Sequence, residues 1–148
     1  MLYLDTSAIV KLYVKEKYSR DLARWLTRNN EAIPLTNFHE LEFTNAVNLK
    51  RYRGEISNED AQHIILRFNT HTGKGIFYSH SLDWVEVFKL AIELSDKFTP
   101  VIGSRSLDIM HVASALSLEP SNFITFDERQ EKIASQSGLH IIACSSLV

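Results

Sequence analysis

The sequence predicts an α/β fold in which a central, mainly parallel β-sheet carries helices on both faces. Short apolar segments typical of buried strands alternate with longer segments in which apolar residues recur at helical spacing. Strands that are separated by helices favour parallel pairing, because each crossover returns the chain to the same end of the sheet. The length of 148 residues is usual for one domain, so we expect residues 1–148 to form a single domain.

The first half of the chain contains two predicted strands and four predicted helices. In chain order these are strand 1–5, helix 7–14, helix 19–30, strand 32–36, helix 37–53 and helix 57–71. The two strands are short apolar runs, and the helix at 19–30 has Leu22, Trp25 and Leu26 on one face. Gly54 is suited to end the helix that precedes it. Ser57 and Asp60 have the spacing of a capping box at the next helix start, with Asp in place of Glu.

The second half continues the alternation. In chain order we expect helix 83–98, helix 106–119, strand 122–126, helix 127–138 and strand 139–144. The helix at 83–98 is strongly amphipathic, with apolar residues at helical spacing from Val87 to Leu94. Gly138 is placed to close the last helix.

Composition and charge are those of an ordinary globular protein. Hydrophobic residues make up 45% of the chain and charged residues 23%, and the formal net charge is −2. No global basic field therefore attracts nucleic acid. Chemistry on a nucleic acid would need local basic residues, or a bound cation, to offset the phosphate charge.

The sequence predicts a cytoplasmic protein. The single cysteine, Cys144, cannot form an internal disulfide, which fits a reducing compartment. No run approaches the ~20 apolar residues of a membrane span, and we expect no membrane association. The N-terminal apolar segment is interrupted by Asp5 and Lys11 and lacks the features of a signal peptide.

Four carboxylates lie near predicted strand-to-helix junctions. Asp5 ends the first strand, and Asp127 follows the strand at 122–126. Glu42 and Asp108 lie in the first turns of two predicted helices. In open parallel sheets, sites form outside the carboxyl ends of the strands. We therefore expect these four acids to converge at one end of the sheet.

Clustered carboxylates repel one another unless a cation compensates their charge. A hard divalent cation is the natural choice, and Mg²⁺ binds one or two carboxylates directly while keeping several waters. Such an ion lowers the pKa of a bound water and neutralises phosphoryl oxygens. This is the chemistry of a phosphodiester nuclease.

Each acid also has a purely structural interpretation. Asp5 is suited to cap the helix that follows it, and Asp108 to complement a helix dipole. Asp127 fits the first turn of its helix. Glu42 is an ordinary solvated helix residue when considered alone, and its neighbour Glu40 can take its place. Only the joint placement of the acids favours a metal site.

Four stretches of the sequence resemble the PIN-domain ribonucleases, and in particular the VapC-type toxins of bacterial and archaeal toxin–antitoxin pairs. Together they span nearly the whole chain in the order found in that family. The resemblance implies a three-layer α/β/α PIN-like fold and a Mg²⁺- or Mn²⁺-dependent endoribonuclease. The matching stretches are LYLDTSAIVKLY, LTNFHELEFTNAV, SLDIMHVASAL and FITFDERQEKIASQSGLHII.

The resemblance also assigns roles to the four acids. The first acid of the family falls on Asp5, the second on Glu42 rather than Glu40, the third on Asp108 and the fourth on Asp127. It implies that Asp5 and Asp108 ligate the metal directly. Glu42 and Asp127 then hold metal-bound waters or position the attacking one.

Hydroxyl and guanidinium groups complete the expected site. The hydroxyl near the first acid falls on Thr6 or Ser7, and the one before the last acid on Thr125. Arg105 lies close to Asp108 in the sequence, and it either contacts a substrate phosphate or holds a carboxylate in place.

The resemblance implies an RNA substrate, a cognate antitoxin protein and a homodimer. The alternative is a catalytically silent PIN-like module that acts by binding an antitoxin and DNA. A phosphate-transfer receiver domain also begins with acids at a strand end. It requires a paired acidic cluster beside the first strand, where this sequence supplies one acid.

Other polar residues carry weaker signals. The six histidines show no H-x-x-x-H pair, which disfavours a zinc site, and His111 is interpreted as a packed or hydrogen-bonded structural residue. The stretch LKRYRG gathers Lys50, Arg51 and Arg53 around Tyr52. It fits a solvated helix end better than an RNA contact, although both interpretations stay open.

Overall fold

The computed structural model describes residues 1–147, which form short parallel strands between layers of helices. The elements are β1 (Leu2–Leu4), α1 (Thr6–Lys11), α2 (Ser19–Asn29), β2 (Pro34–Leu35), α3 (Asn37–Tyr52), α4 (Asn58–Gly73), β3 (Tyr78–Ser79), α5 (Trp84–Ile102), α6 (Ser106–Leu118), β4 (Asn122–Ile124), α7 (Glu128–Gln136) and a 3₁₀ turn (Cys144–Leu147). Among these residues, no helix combines the length and the apolar character needed to cross a membrane.

The strands pair in parallel, with β1 in a central position. Strand β1 pairs with β4, Leu2 opposite Asn122, and β2 pairs with β3. A hydrogen bond of 2.9 Å from the backbone N–H of Leu2 to the carbonyl of Ala32 joins β1 to the segment that leads into β2. On the far side of β4, Phe123 forms a parallel bridge with Ile141. The strands thus form two two-stranded parallel sheets, β1-β4 and β2-β3. The hydrogen bond from Leu2 to Ala32 places them side by side in the order β3-β2-β1-β4, with the bridge at the outer edge.

Alternation along β1 divides the core in two. Leu2 and Leu4 belong to a cluster packed against α1 to α4, and Tyr3 belongs to a second cluster packed against α5 to α7. Successive side chains of a strand point to opposite faces, so a strand buried on both faces is apolar throughout. The predicted α/β fold with helices on both faces of a parallel sheet is confirmed.

Helix termini are specified locally, as the sequence indicates. The carboxylate of Asp5 accepts a hydrogen bond of 2.8 Å from the backbone N–H of Ala8 and caps α1. Ser57 and Asp60 form the expected capping box at the start of α4. Helix α5 ends at Gly103, whose φ of 72° lies in the left-handed region that favours glycine.

The structure differs from the predicted elements most clearly at four places. The strand expected at 139–144 is reduced to the single bridge at Ile141, and Cys144 begins a 3₁₀ turn. Strand β3 was not predicted, because two residues are too few to show a strand period. Helix α5 continues past residue 98 to Ile102, and helix α1 ends at Lys11 rather than at residue 14.

Candidate active site

A cavity of about 670 Å³ lies at the carboxyl end of the sheet, and all four candidate acids line it. Asp5 directly follows β1, and Asp127 lies three residues after the end of β4. Glu42 comes from the second turn of α3, and Asp108 from the first turn of α6. Parallel pairing of β1 with β4 thus brings together acids that are more than one hundred residues apart in sequence.

Asp5 is the most enclosed of these acids, with 1% of its surface exposed. Its Oδ1 accepts the N–H of Ala8, and its Oδ2 accepts the hydroxyl of Thr125 at 2.8 Å. The hydroxyl of Ser7 lies 2.8 Å from both oxygens. Burial raises the pKa of Asp5, and this effect is partly offset by His111, by the Ala8 N–H and by the two hydroxyls. The fold therefore places a carboxylate where a cation would relieve the cost of its ionisation.

Thr125 links the first acid to the fourth. Its hydroxyl donates to Asp5 and accepts a hydrogen bond of 3.0 Å from the backbone N–H of Asp127. The Oδ1 of Asp127 caps α7 by accepting the N–H groups of Arg129 and Gln130. Asp127 is therefore the N-cap of this helix and not, as the sequence interpretation had it, a residue of its first turn.

Arg105 joins the fourth acid to the third. Its backbone N–H and its Nε lie 3.1 and 3.2 Å from Oδ2 of Asp108, which is 5% exposed. An Arg105 terminal nitrogen lies 3.7 Å from Oδ2 of Asp127. Hydrogen bonding and charge from Asp108 raise the pKa of Arg105. Arg105 thus contacts both carboxylates, and its guanidinium also remains exposed at the cavity, so both roles named from the sequence stay predictions.

Glu42 is held by Thr6 and His111. Its Oε2 accepts the hydroxyl of Thr6 at 2.9 Å and lies 2.5 Å from Nε2 of His111. The other ring nitrogen of His111 lies 2.9 Å from the hydroxyl of Tyr3. Burial, followed by the charge of Asp5, raises the pKa of Tyr3, so the phenol keeps its proton. This arrangement suits an imidazole that accepts from Tyr3 at Nδ1 and donates to Glu42 from Nε2.

Glu40 has a different position from Glu42 on α3. Its side chain is exposed and does not line the cavity, whereas Glu42 is half-buried at the cavity wall. Placement therefore favours Glu42 as the second acid.

His39 ties α3 to β1, a role that the sequence did not reveal. The ring is buried, with Nε2 3.0 Å from the carbonyl oxygen of Leu4. Nδ1 accepts the backbone N–H of Thr36 at 3.2 Å. Burial, with a further contribution from His111, lowers the pKa of His39 to about 3. A neutral ring thus fixes the start of α3 beside the residue that precedes Asp5.

The donors at this site suit a hard divalent cation. The side chains that converge offer carboxylate and hydroxyl oxygens, which are the ligands that Mg²⁺ prefers. Within residues 1–147, no three side chains of His, Cys, Asp or Glu are close enough to hold a metal ion by themselves. A Mg²⁺ ion needs only one or two carboxylates in addition to its waters, so the donor set fits.

The cavity extends beyond the acids. Lys11 and Glu16 line its wall together with Lys50, and apolar side chains of α3 such as Leu41 and Leu49 complete it. In the sequence, Lys50 stands out only as part of a basic cluster, and neither Lys11 nor Glu16 is predicted to line the site. Lys11 interrupts the apolar N-terminal segment, which was the available signal.

Comparisons with known proteins place this geometry in a family. The PIN-domain family model matches residues 2–136. Ribonuclease VapC47 of Mycobacterium tuberculosis (strain CDC 1551 / Oshkosh) is 28% identical over 134 residues, covering 87% of this chain and 86% of the relative. Ribonuclease VapC46 of M. tuberculosis (strain H37Rv) is 27% identical over 146 residues, covering 97% of this chain and 98% of the relative.

Solved structures show the same fold at low sequence identity. The crystal structure of FitAcB from Neisseria gonorrhoeae superposes with a TM-score of 0.67 at 13% identity, covering 98% of this chain and 99% of that one. The structure of M. tuberculosis VapC20, described as a sarcin-ricin loop cleaving toxin, superposes with a TM-score of 0.59 at 14% identity, covering 94% and 96%. The PIN-domain resemblance noted in the sequence is confirmed, and this chain belongs to the PIN-domain family.

Proposed function

We propose that this protein is a single-domain, Mg²⁺- or Mn²⁺-dependent endoribonuclease and the toxin of a type II toxin–antitoxin pair. The observation that carries the proposal is the convergence of Asp5, Glu42, Asp108 and Asp127 on one cavity. Membership of the PIN-domain family supports it, as do two relatives that are named ribonucleases. The reaction is hydrolysis of an RNA phosphodiester bond by water.

Asp5 and Asp108 would hold the cation. A divalent ion there would offset the repulsion between the carboxylates and the charge of the phosphoryl group in the transition state. Asp5 is oriented for this task by Ser7 and Thr125, and Asp108 by Arg105. These contacts fix the direction of each carboxylate before substrate arrives.

Glu42 and Asp127 would position water at the edge of the site. Thr6 and His111 hold one oxygen of Glu42 in place. The Oδ1 of Asp127 is occupied by its helix cap, whereas Oδ2 is 3.7 Å from the Arg105 guanidinium. Both acids are therefore anchored, and neither is as deeply buried as Asp5.

The proposal includes the biological setting. A toxin of this kind acts on RNA in the cytoplasm, is held by a cognate antitoxin protein and forms a homodimer. The apolar residues of α3 at the cavity, Leu41 and Leu49, are exposed and would be covered by such a partner.

The test is cleavage of a mixed single-stranded RNA pool by the purified protein with Mg²⁺, with Mn²⁺ or with EDTA. We expect cleavage with either metal, none with EDTA, and none by Asp5→Asn or Asp108→Asn. Asp96→Asn, an exposed position on α5, is the matched control and should cleave as the wild type does. Full activity of Asp5→Asn would refute its role. Absence of cleavage, combined with tight antitoxin binding, would instead support the silent PIN-like module.

A further inference from the structure

One carboxylate, Glu16, holds two lysines at the wall of the cavity. Its Oε1 lies 2.6 Å from Nζ of Lys50, and its Oε2 lies 2.9 Å from Nζ of Lys11. The lysine side chains are only 21% and 13% exposed, and both line the cavity that contains the four acids. This cluster, Lys11–Glu16–Lys50, has no part in the proposed chemistry of the acids.

The two helices that carry the lysines also carry acids of the site. Lys11 is the last residue of α1, which Asp5 caps, and Lys50 lies two turns after Glu42 on α3. At about 1.5 Å per residue, the lysines lie roughly 9 and 12 Å along these helices from the acids. A stacked nucleic-acid strand carries one phosphate per ~3.4 Å of rise. Measured along the helix axes, this separation corresponds to the length of about three nucleotides.

Charge is distributed unequally along the cavity. The acid end carries four carboxylates and one guanidinium, Arg105. At the other end, two lysines share Glu16, and Lys50 also lies 3.2 Å from Glu55. Glu55 in turn is 3.9 Å from Arg53, and neither of these two side chains lines the cavity. The charged groups on the cavity wall at this end are therefore two lysines and one glutamate, which leaves a net positive charge. The phosphates of a nucleic acid that enters the cavity would find positively charged groups, Lys11 and Lys50, at this end.

Lys50 remains charged at neutral pH. Hydrogen bonding to Glu16 raises the pKa of Lys50 above its usual value. Burial favours a higher pKa for Glu16, but hydrogen bonds from Lys50 and Lys11 overcome it, and the pKa of Glu16 is lowered. Glu16 and Lys50 are therefore both ionised, and Glu16 lies within hydrogen-bonding distance of both lysine ammonium groups.

The rest of the basic stretch does not share this position. Arg51, Tyr52 and Arg53 are exposed and do not line the cavity. Of the cluster noted in the sequence, only Lys50 faces the site.

We propose that Lys11 and Lys50 form a phosphate-binding subsite for the RNA strand, adjacent to the carboxylates, and that Glu16 is the residue that positions both. This inference rests on the proposed function, because it takes RNA as the ligand of the subsite. A purely structural interpretation, in which the cluster ties the end of α1 to α3, predicts no effect on RNA affinity.

Salt dependence of RNA binding separates the two interpretations. The probe is a fluorescent single-stranded RNA of about 12 nucleotides and mixed sequence, measured by anisotropy in EDTA and in Ca²⁺, with gels to confirm that it stays intact. Each phosphate contact in a single strand contributes about 0.7 to the slope of log K against log salt. Lys11→Gln and Lys50→Gln should each weaken binding and reduce the slope by about 0.7, and the double variant by about 1.4.

Two further variants sharpen the experiment. Glu16→Ala removes the group that orients both lysines, so it should weaken RNA binding although it also removes a negative charge. RNA binding as tight as that of the wild type would overturn the positioning role of Glu16. Lys97→Gln, an exposed lysine on α5 away from the cavity, should leave affinity and slope unchanged. Thermal unfolding of each variant shows that it is folded.

Each outcome supports or overturns the proposal. Lysine variants that lose stability but keep the wild-type slope overturn it, as does a wild-type protein that does not bind the RNA in either buffer. Cleavage with Mg²⁺ or Mn²⁺ but an unchanged slope refutes the subsite alone. A reduced slope without cleavage under any metal condition refutes the nuclease and leaves the subsite in place.

Discussion

The side chains of Glu42 and His111, 69 residues apart in sequence, meet with 2.5 Å between Oε2 and Nε2. This contact joins α3 to α6 directly above β1, because Tyr3 lies behind the imidazole and Thr6 beside it. Three of the four acids are tied to this contact. Glu42 is part of it, Asp5 directly precedes Thr6, and Asp108 is one helical turn before His111. The pair therefore fixes the separation between segments that carry the site.

Replacing His111 with alanine should destabilise the protein and reduce RNA cleavage. The substitution leaves the Tyr3 hydroxyl, which is fully buried, without its acceptor, and an unsatisfied buried group costs about 1–3 kcal/mol. Glu42 also loses a partner that orients it. Urea unfolding gives the free energy, and initial cleavage rates give the activity.

Tyr3→Phe and His63→Ala are the controls for that variant. Tyr3→Phe leaves the buried Nδ1 of His111 without its donor and should cost about 1–3 kcal/mol, while Glu42 keeps its contact with His111 and cleavage should be less affected. His63 is exposed on α4, and its removal should change neither quantity. Wild-type stability in His111→Ala would contradict the assigned contact.

Asp5→Asn should make the metal-free protein more stable at neutral pH. The raised pKa of Asp5 means that the fold disfavours its ionised form, chiefly through burial. Asparagine can still cap α1, because its side-chain oxygen can accept the N–H of Ala8. Unfolding in EDTA measures the difference, with Asp96→Asn as the exposed control. A less stable Asp5→Asn protein would show that the charge is stabilised without metal.

Stability should fall as the pH drops from about 6.5 towards 3, in part because of His39. Its folded pKa of about 3 lies below the usual value, so in this window the unfolded chain binds a proton that the folded protein does not. One such proton contributes a slope of at most about 1.4 kcal/mol per pH unit. A protonated Nδ1 would also face the N–H of Thr36, a donor against a donor.

The contribution of His39 is isolated by difference. His39→Gln should show a shallower decline of unfolding free energy than the wild type between those pH values, whatever its absolute stability. His63→Gln, at an exposed position, should follow the wild-type curve. Equal slopes for all three proteins would contradict the low pKa of His39.

The parts of the site that sequence analysis could identify are those specified by local pattern. Asp5 and Asp127 each follow a strand and cap a helix, and both properties depend on neighbours within four residues. That both line one cavity could be inferred from parallel pairing of their strands, because parallel strands end at the same edge of the sheet. Glu42 and Asp108 were identified from their places in the first turns of two predicted helices, and the family resemblance then assigned roles to all four acids.

The parts that escaped prediction depend on tertiary contact. The partner of His39 is the carbonyl of Leu4, 35 residues away, and no periodicity encodes that distance. The link between Glu16 and Lys50 is of the same kind. The strand predicted at 139–144 is absent for a related reason. An apolar run becomes a strand only where a neighbouring strand forms backbone hydrogen bonds along its length, and here such pairing is limited to Ile141.

Divalent metal should stabilise the folded protein, and the four acids should differ in how much of this effect they carry. A ligand at 100 times its dissociation constant adds about 2.7 kcal/mol to the free energy of unfolding. Titration of the wild type with Mn²⁺ should therefore raise the melting temperature. Asp5→Asn and Asp108→Asn should lose most of this increase, because the proposal assigns them direct contact with the ion.

Glu42→Gln should lose less of the metal-dependent increase than either aspartate variant, because Glu42 is proposed to act through water. Glu40→Gln is the matched control, since it is the same substitution two residues away on the same helix, at an exposed position outside the cavity. It should respond to Mn²⁺ as the wild type does. If Glu40→Gln abolished the response and Glu42→Gln preserved it, the assignment of the second acid would be reversed. If all variants responded equally, the ion would bind elsewhere, and convergence of the acids would have to be explained by helix capping and hydrogen bonding alone.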